Sequence, residues 1–170
     1  MLALQEQLKR WHQLQRTPGV DALEAMLEDV SAVVRPEMAV GDPDRAYGRT
    51  VLLAAPGLEI MLARWTPGIS CAPHDHGGAR GTVCVLQGHA THRVWEFVSG
   101  RLRCTSTQGI ATGERIRCGR RLIHSMEQGE GVEALVTLHL YAPAIETMTV
   151  YDTRLGTSIV VEGSSGAWIS

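Results

Sequence analysis

Two histidines one residue apart, in Pro73-His74-Asp75-His76-Gly77-Gly78, place the first demand on how this chain folds. Side chains on an extended backbone repeat with period two, so both imidazoles point to one side if the segment is extended. In that conformation they can grip a single metal ion. Glycines bracket the pair, with Gly68 ahead of it and Gly88 twelve residues beyond His76. A second glycine-spaced segment, Gly113 and Gly119, leads to His124.

The text around these residues is strand-like. Runs at 50-54, 58-65, 81-86, 90-98, 101-106, 114-118, 121-126, 133-141, 148-151 and 158-161 are separated by Gly, Pro or polar turns. Ten short strands at close spacing call for a sandwich or barrel. Val98-Ser99-Gly100-Arg101 reads as a hairpin tip turning on Ser-Gly. Ahead of the strands, Leu4, Leu8, Trp11 and Leu14 fall at helical spacing. A second helix is expected from Asp21 as N-cap, with Glu24 completing a capping box and Leu23, Met26, Leu27, Val30 and Val34 on its buried face. Pro36 and Gly41-Asp42-Pro43 end that region, since proline removes a donor and disfavours helix before it. The expected fold is therefore mainly β, a sandwich or barrel with an N-terminal pair of α-helices. One domain is expected over residues 1-170: helices over 1-43 packed on a barrel over 44-161, with an irregular tail over 162-170 from which Trp168 and Ile169 can dock back.

Composition narrows the partners. A chain of 170 residues with 44% hydrophobic and 20% charged residues can bury a core without staples, and its net charge of -2 gives no footprint for nucleic acid. No apolar run suits a signal peptide or a membrane span, so a cytoplasmic protein without membrane partners is expected, and a monomer. Cys71, Cys84, Cys104 and Cys118 contain no C-x-x-C pair and read as free thiols. Cys71 lies three residues before His74 and would not share its face in a strand, so it reads as buried and inert.

A lone histidine is more often structural than a ligand, and the chain has seven. His12 lies on the polar side of the first helix. His89 and His92 would face opposite sides of one strand, and all three read as structural. A different pattern is Thr137-Leu138-His139-Leu140-Tyr141-Ala142-Pro143, where Thr137, His139 and Tyr141 would share the face opposite Leu138 and Leu140. Buried polar groups need partners, which favours a hydrogen-bond chain through the three; the alternative is an ordinary strand with its polar side in solvent. Tyr47 and Arg49 repeat the two-residue spacing. An arginine facing into a small barrel needs an anion, either a substrate carboxylate or an internal Asp or Glu.

These spacings resemble the cupin pattern, which implies a jelly-roll-like β-barrel and a third ligand at His124, but without the usual Glu (Arg80 or Gly81 stands there) and with Gln128 where Asn is usual. More specifically, Tyr47 to Gly156 resembles the cysteine dioxygenase family of thiol dioxygenases. The resemblance rests on Tyr47-x-Arg49, Trp65, His74-Asp75-His76, His124 and His139-Leu140-Tyr141-Ala142-Pro143. It implies Fe(II) on His74, His76 and His124, a thiol substrate whose carboxylate is held by Arg49 and Tyr47, dioxygen as co-substrate, and a catalytic Tyr141 linked to His139 and Thr137, with Trp65 nearby. L-cysteine is the implied substrate, with 3-mercaptopropionate dioxygenase or a non-catalytic metal-binding sensor as alternatives. It also implies a cis bond at Ala142-Pro143. Gly81 departs from the pattern: eukaryotic members carry there a cysteine that becomes joined to the tyrosine matching Tyr141.

Overall fold

The computed structural model describes residues 2–14 and 16–163. Its elements are α1 (Leu2–His12), α2 (Val20–Ser31), a single 3-10 turn (Pro36–Met38), and ten strands. The strands are β1 (Tyr47–Ala55), β2 (Leu58–Trp65), β3 (Arg80–Gln87), β4 (His89–Val98), β5 (Arg101–Ala111), β6 (Arg115–Cys118), β7 (Ile123–Gln128), β8 (Val136–Ala142), β9 (Thr147–Tyr151) and β10 (Ser158–Glu162). The fold is mainly β, as expected. No described helix is long and apolar enough to cross a membrane.

One sheet of five strands runs β1-β2-β8-β3-β6, and faces a three-stranded sheet β5-β4-β7 and the pair β10-β9. The segment carrying His74 stitches the last two together through bridges from His74 to His124 and to Val150. The β4–β5 turn has Ser99 at φ 50° and Gly100 at φ 75°, the left-handed pair of a type I′ hairpin.

The five-stranded sheet is covered on both faces. Ile60, Leu62, Leu138, Leu140 and Ala142 point outward beneath Leu23, Leu27 and Val30 of α2 and Leu4 of α1. Each such buried aliphatic side chain contributes about 1.5–3 kcal/mol relative to exposure. The alternate residues, Met61, Ala63, Trp65, Val83, Val85 and Tyr141, point inward and form a second cluster inside the barrel. Covering the outer face with helices leaves the inner face free to carry polar residues.

Three local expectations are corrected. Helix α2 starts at Val20, and its N-cap is Gly19, with extended backbone and no side-chain cap. Asp21 therefore sits inside the first turn, where its charge still favours the positive helix end. Glu24 does not reach back; both its oxygens take the Arg117 guanidinium of β6, with Nη2 donating to Oε2 at 2.9 Å. Helix α1 stops at His12, leaving Leu14 43% exposed. Glu162, expected in the tail, is the last residue of β10 and pairs with Thr147 of β9. The expected docking of Trp168 and Ile169 lies outside the described residues.

Candidate metal centre

His74, His76 and His124 offer ligand atoms that all lie within 4.8 Å of one another. Backbone pairing brings the first and third together: His74 N–H donates to His124 O at 2.9 Å, and His124 N–H donates to His74 O at 3.0 Å. The extended run is pinned on its other side as well, since Asp75 N–H donates to Thr149 O at 3.0 Å and Tyr151 N–H to Pro73 O at 2.8 Å. The Asp75 carboxylate faces away from the cluster and accepts from the backbone N–H groups of Gly77 at 2.9 Å and Thr149 at 3.1 Å. Immediately after His76 the chain turns at Gly77, φ 59°, where a side chain would strike Thr147 O. The outward Asp and the following glycine leave both histidines on the inner face.

Hydrogen bonds to the Nδ1 atoms of His74 and His124 leave the Nε2 atom of each ring available. His74 Nδ1 lies 2.8 Å from Ala72 O, so it carries the proton and Nε2 holds the free lone pair. His124 Nδ1 is taken by His92 Nε2 at 2.9 Å. That leaves His124 Nε2 facing His76 Nε2 at 3.2 Å, while His76 Nδ1 is buried with no hydrogen-bond partner. Burial lowers all three imidazole pKa values, and for His76 and His124 the neighbouring histidines lower them further. Three neutral imidazoles with lone pairs converging in a buried space are what a divalent cation requires.

His92 is a residue the sequence reading placed as merely structural. It does face opposite to exposed His89, but it is buried, 4% exposed, behind the His124 ring. The pairing of β4 with β7 sets His92 opposite Met126 and beside His124. No motif signals this, because the partner lies on another strand.

Deeper in the barrel, Trp65 Nε1 donates to Thr137 Oγ1 at 2.9 Å, Thr137 Oγ1 lies 2.7 Å from His139 Nε2, and His139 Nδ1 lies 3.0 Å from the Tyr141 hydroxyl. The indole is a donor only. The fully buried Thr137 hydroxyl finds an acceptor only if it donates to His139 Nε2, which puts the imidazole proton on Nδ1, donating to the Tyr141 oxygen. The Tyr141 O–H is then free to donate elsewhere. Burial, with smaller contributions from His74 and Arg49, depresses the His139 pKa to about 3, keeping it neutral. Burial likewise pushes the Tyr141 phenol well above its usual range. The Tyr141 ring stands 4.6 Å from the His76 ring, centroid to centroid, so its hydroxyl chain abuts the three-histidine cluster.

Arg49 enters the same interior from β1. Its Nη2 donates to Glu59 Oε1 at 2.7 Å and its Nε to the Met61 thioether at 3.1 Å. Glu59 was not singled out from the sequence; it occupies the inner face of β2, opposite Tyr141 on β8, and is 6% exposed. The anion that Arg49 meets within the fold is thus an internal carboxylate. Tyr47 packs on Trp65 with ring centroids 4.7 Å apart. Cys71 lies behind His74, its sulfur 4.0 Å from Nδ1, the nitrogen turned away from the cluster. Burial pushes its thiol up to about 12, so it is a protonated packing group that accepts from Met126 N–H at 3.2 Å.

The profile of the family Cysteine dioxygenase type I matches residues 6–154, extending the likeness through the N-terminal helices. The chain belongs to this family. Cysteine dioxygenase type 1 of Danio rerio is 22% identical over 162 residues, covering 90% of this chain and 81% of that protein. Among solved structures, a conserved protein with a double-stranded β-helix domain from Klebsiella pneumoniae superposes with a TM-score of 0.58 at 14% identity, over 71% of this chain and 96% of that one. An RmlC-like cupin protein from Desulfovibrio desulfuricans gives 0.50 at 15% identity, over 64% and 92%. These likenesses establish the cupin fold. The cysteine dioxygenase family is metal-dependent, and the converging lone pairs of His74, His76 and His124 supply a place for the ion.

Two positions that the resemblance bears on can be located in this chain. Ala142-Pro143 is cis. Gly81 lies directly opposite Tyr141 across β3 and β8, and a Cβ built there would lie 2.7 Å from Tyr141 Cε1 and closer still to Cδ1. The tyrosine ring rests against the β3 backbone in space that a side chain at 81 would contest.

Proposed function

We propose that the protein is a thiol dioxygenase that converts L-cysteine to cysteine sulfinic acid at an Fe(II) ion held by His74, His76 and His124. His74, His76 and His124 would hold the ion through three neutral imidazoles, and iron there would supply the redox chemistry that joins a thiol to dioxygen. The overall reaction adds both atoms of dioxygen to sulfur, taking a thiol to the sulfinic rung without an external reductant. The single observation that carries this reading is the junction of two arrangements in one buried space: the converging lone pairs of the three histidines, and beside His76 a tyrosine whose hydroxyl proton is free.

The protein's own groups have separate tasks. His139 and Thr137 hold the Tyr141 oxygen, so its proton points at whatever occupies the cluster's open side. Arg49, with guanidinium N–H groups beyond the one on Glu59, takes the substrate carboxylate, and Tyr47 walls that end. Met61, Val83 and Trp65 exclude water, which strengthens each polar contact. The test is oxygen consumption by Fe(II)-loaded protein with cysteine, with the product identified by mass. Stoichiometric uptake and a gain of two oxygens are expected. A protein that binds iron and consumes no oxygen with any small thiol is a sensor instead.

A further inference from the structure

Arg49, partly buried, and Glu59, buried, form an ion pair on the inner face of the barrel, at the end of the site occupied by Tyr141. The pair carries no net charge, yet neither member is saturated. A guanidinium has five N–H donors, of which one goes to Glu59 Oε1 and one to Met61 Sδ, leaving three. Among the described residues Glu59 accepts from Arg49 alone, so its second oxygen retains full acceptor capacity. A pocket with a half-used cation beside a half-used anion is complementary to a molecule that carries both an anionic and a donor group.

Resting on the thiol dioxygenase reading, the geometry points to Glu59 as a specificity-determining residue, which selects thiols bearing both a carboxylate and an amino group over mercapto acids that lack the amine. The substrate carboxylate takes the remaining N–H groups of Arg49, and the substrate amino group, charged or neutral, donates an N–H to Glu59. A mercapto acid such as 3-mercaptopropionate places a second carboxylate on the same guanidinium with no donor to face Glu59. One cation then serves two anions in a space only partly open to water, where like charges repel more than they do in bulk solvent. Glu59 therefore acts chiefly by rejecting the wrong ligand, the repulsive element that specificity usually needs. An amine without a carboxylate, as in cysteamine, satisfies Glu59 but leaves Arg49 half used.

Anaerobic calorimetry on Fe(II)-loaded protein tests this without turnover. Wild-type protein is expected to bind cysteine at least about tenfold more tightly than 3-mercaptopropionate, the effect of one charge-assisted contact. Glu59→Gln keeps the side-chain shape and an acceptor for Arg49 but removes the charge, and is expected to lower that preference by about tenfold. Equal affinity of the wild type for the two thiols, or an unchanged preference in Glu59→Gln, overturns the proposal. So does loss of both ligands in Glu59→Gln with iron content intact, which would mark Glu59 as a mere support for Arg49. If Glu59→Gln does not fold, the wild-type comparison decides. Oxygen uptake is recorded separately: binding preference without uptake sinks the dioxygenase reading and leaves the selection by Glu59 standing.

Discussion

The His92 imidazole stands at 68° to the His124 ring, with its Nε2 2.9 Å from His124 Nδ1, and both rings are buried. For His124 to present its Nε2 lone pair to a metal, its proton must sit on Nδ1 and be donated to His92. An outer partner of this kind fixes the tautomer and the ring angle. A neutral imidazole in that role, rather than a carboxylate, adds no negative charge to the centre.

Removing the partner should loosen the metal. His92→Leu is expected to weaken Fe(II) or Co(II) binding by about 10–100-fold, the usual effect of losing an outer-shell contact. His92→Gln, whose carbonyl can accept the same proton, should recover much of it. Titrations of the two variants giving wild-type affinity for the leucine protein would show that His92 only fills space.

The ligand set can be challenged directly. His124→Ala or His76→Ala should strip most of the metal, whereas Cys71→Ala should leave metal content unchanged, because the thiol faces the back of His74 and is held protonated. Metal analysis after gel filtration separates these outcomes. Loss of metal from the Cys71 variant would put sulfur in the coordination sphere.

Tyr141→Phe removes the one hydroxyl proton that the Thr137–His139 chain leaves free. Turnover should fall by about tenfold or more while metal content and cysteine affinity hold, the signature of a group used in the transition state. Unchanged kcat would assign the hydroxyl to packing. With Gly81 opposite the ring, Tyr141 should also remain an unmodified phenol after many turnovers, and peptide mass spectrometry finding it joined to Cys118 or another cysteine would contradict this.

Gly81→Ala tests the contact between β3 and Tyr141. The added methyl must displace the ring or the strand, and overpacking of this kind costs about 1–3 kcal/mol. Chemical denaturation should show that loss, and the displaced phenol should lower turnover as well. Full stability and activity in the alanine variant would mean that the ring relaxes freely.

The metal-free protein should be acid-sensitive well above the carboxylate range. His74, His76, His92, His124 and His139 all have folded pKa values held below their unfolded values, chiefly by burial. Below about pH 6.5 the unfolded chain therefore binds more protons than the folded one, and stability declines as pH falls. For His139 the decline continues to about 3. Each such proton contributes a slope of about 1.4 kcal/mol per pH unit. Urea midpoints measured between about pH 7.5 and pH 5 should fall steeply without metal, and a flat profile would show these rings to be hydrated.

Much of the architecture follows from patterns within single segments. The period-two spacing of His74 and His76 and the alternation of Thr137, His139 and Tyr141 with Leu138 and Leu140 are properties of a strand alone, so the shared faces were readable before any fold was known. The helical spacing of Leu23, Met26, Leu27 and Val30 likewise named the buried side of α2. Pattern specifies which way a side chain points. It does not specify what stands opposite.

That second question belongs to the register between distant strands. His92 and His124 are brought together by the pairing of β4 with β7, and Glu59 reaches Arg49 across the β1–β2 hairpin and faces Tyr141 across β2 and β8. His92 and Glu59 looked, in sequence, like ordinary polar residues in a strand. The capping box at Asp21 failed for the same reason: Glu24 had a local partner by spacing, but the fold offered it Arg117, a full positive charge on β6, in place of a backbone N–H. Local periodicity decided faces because backbone geometry repeats along the chain; partners were decided by tertiary pairing, because hydrogen bonds and ion pairs act between groups that only the fold makes neighbours.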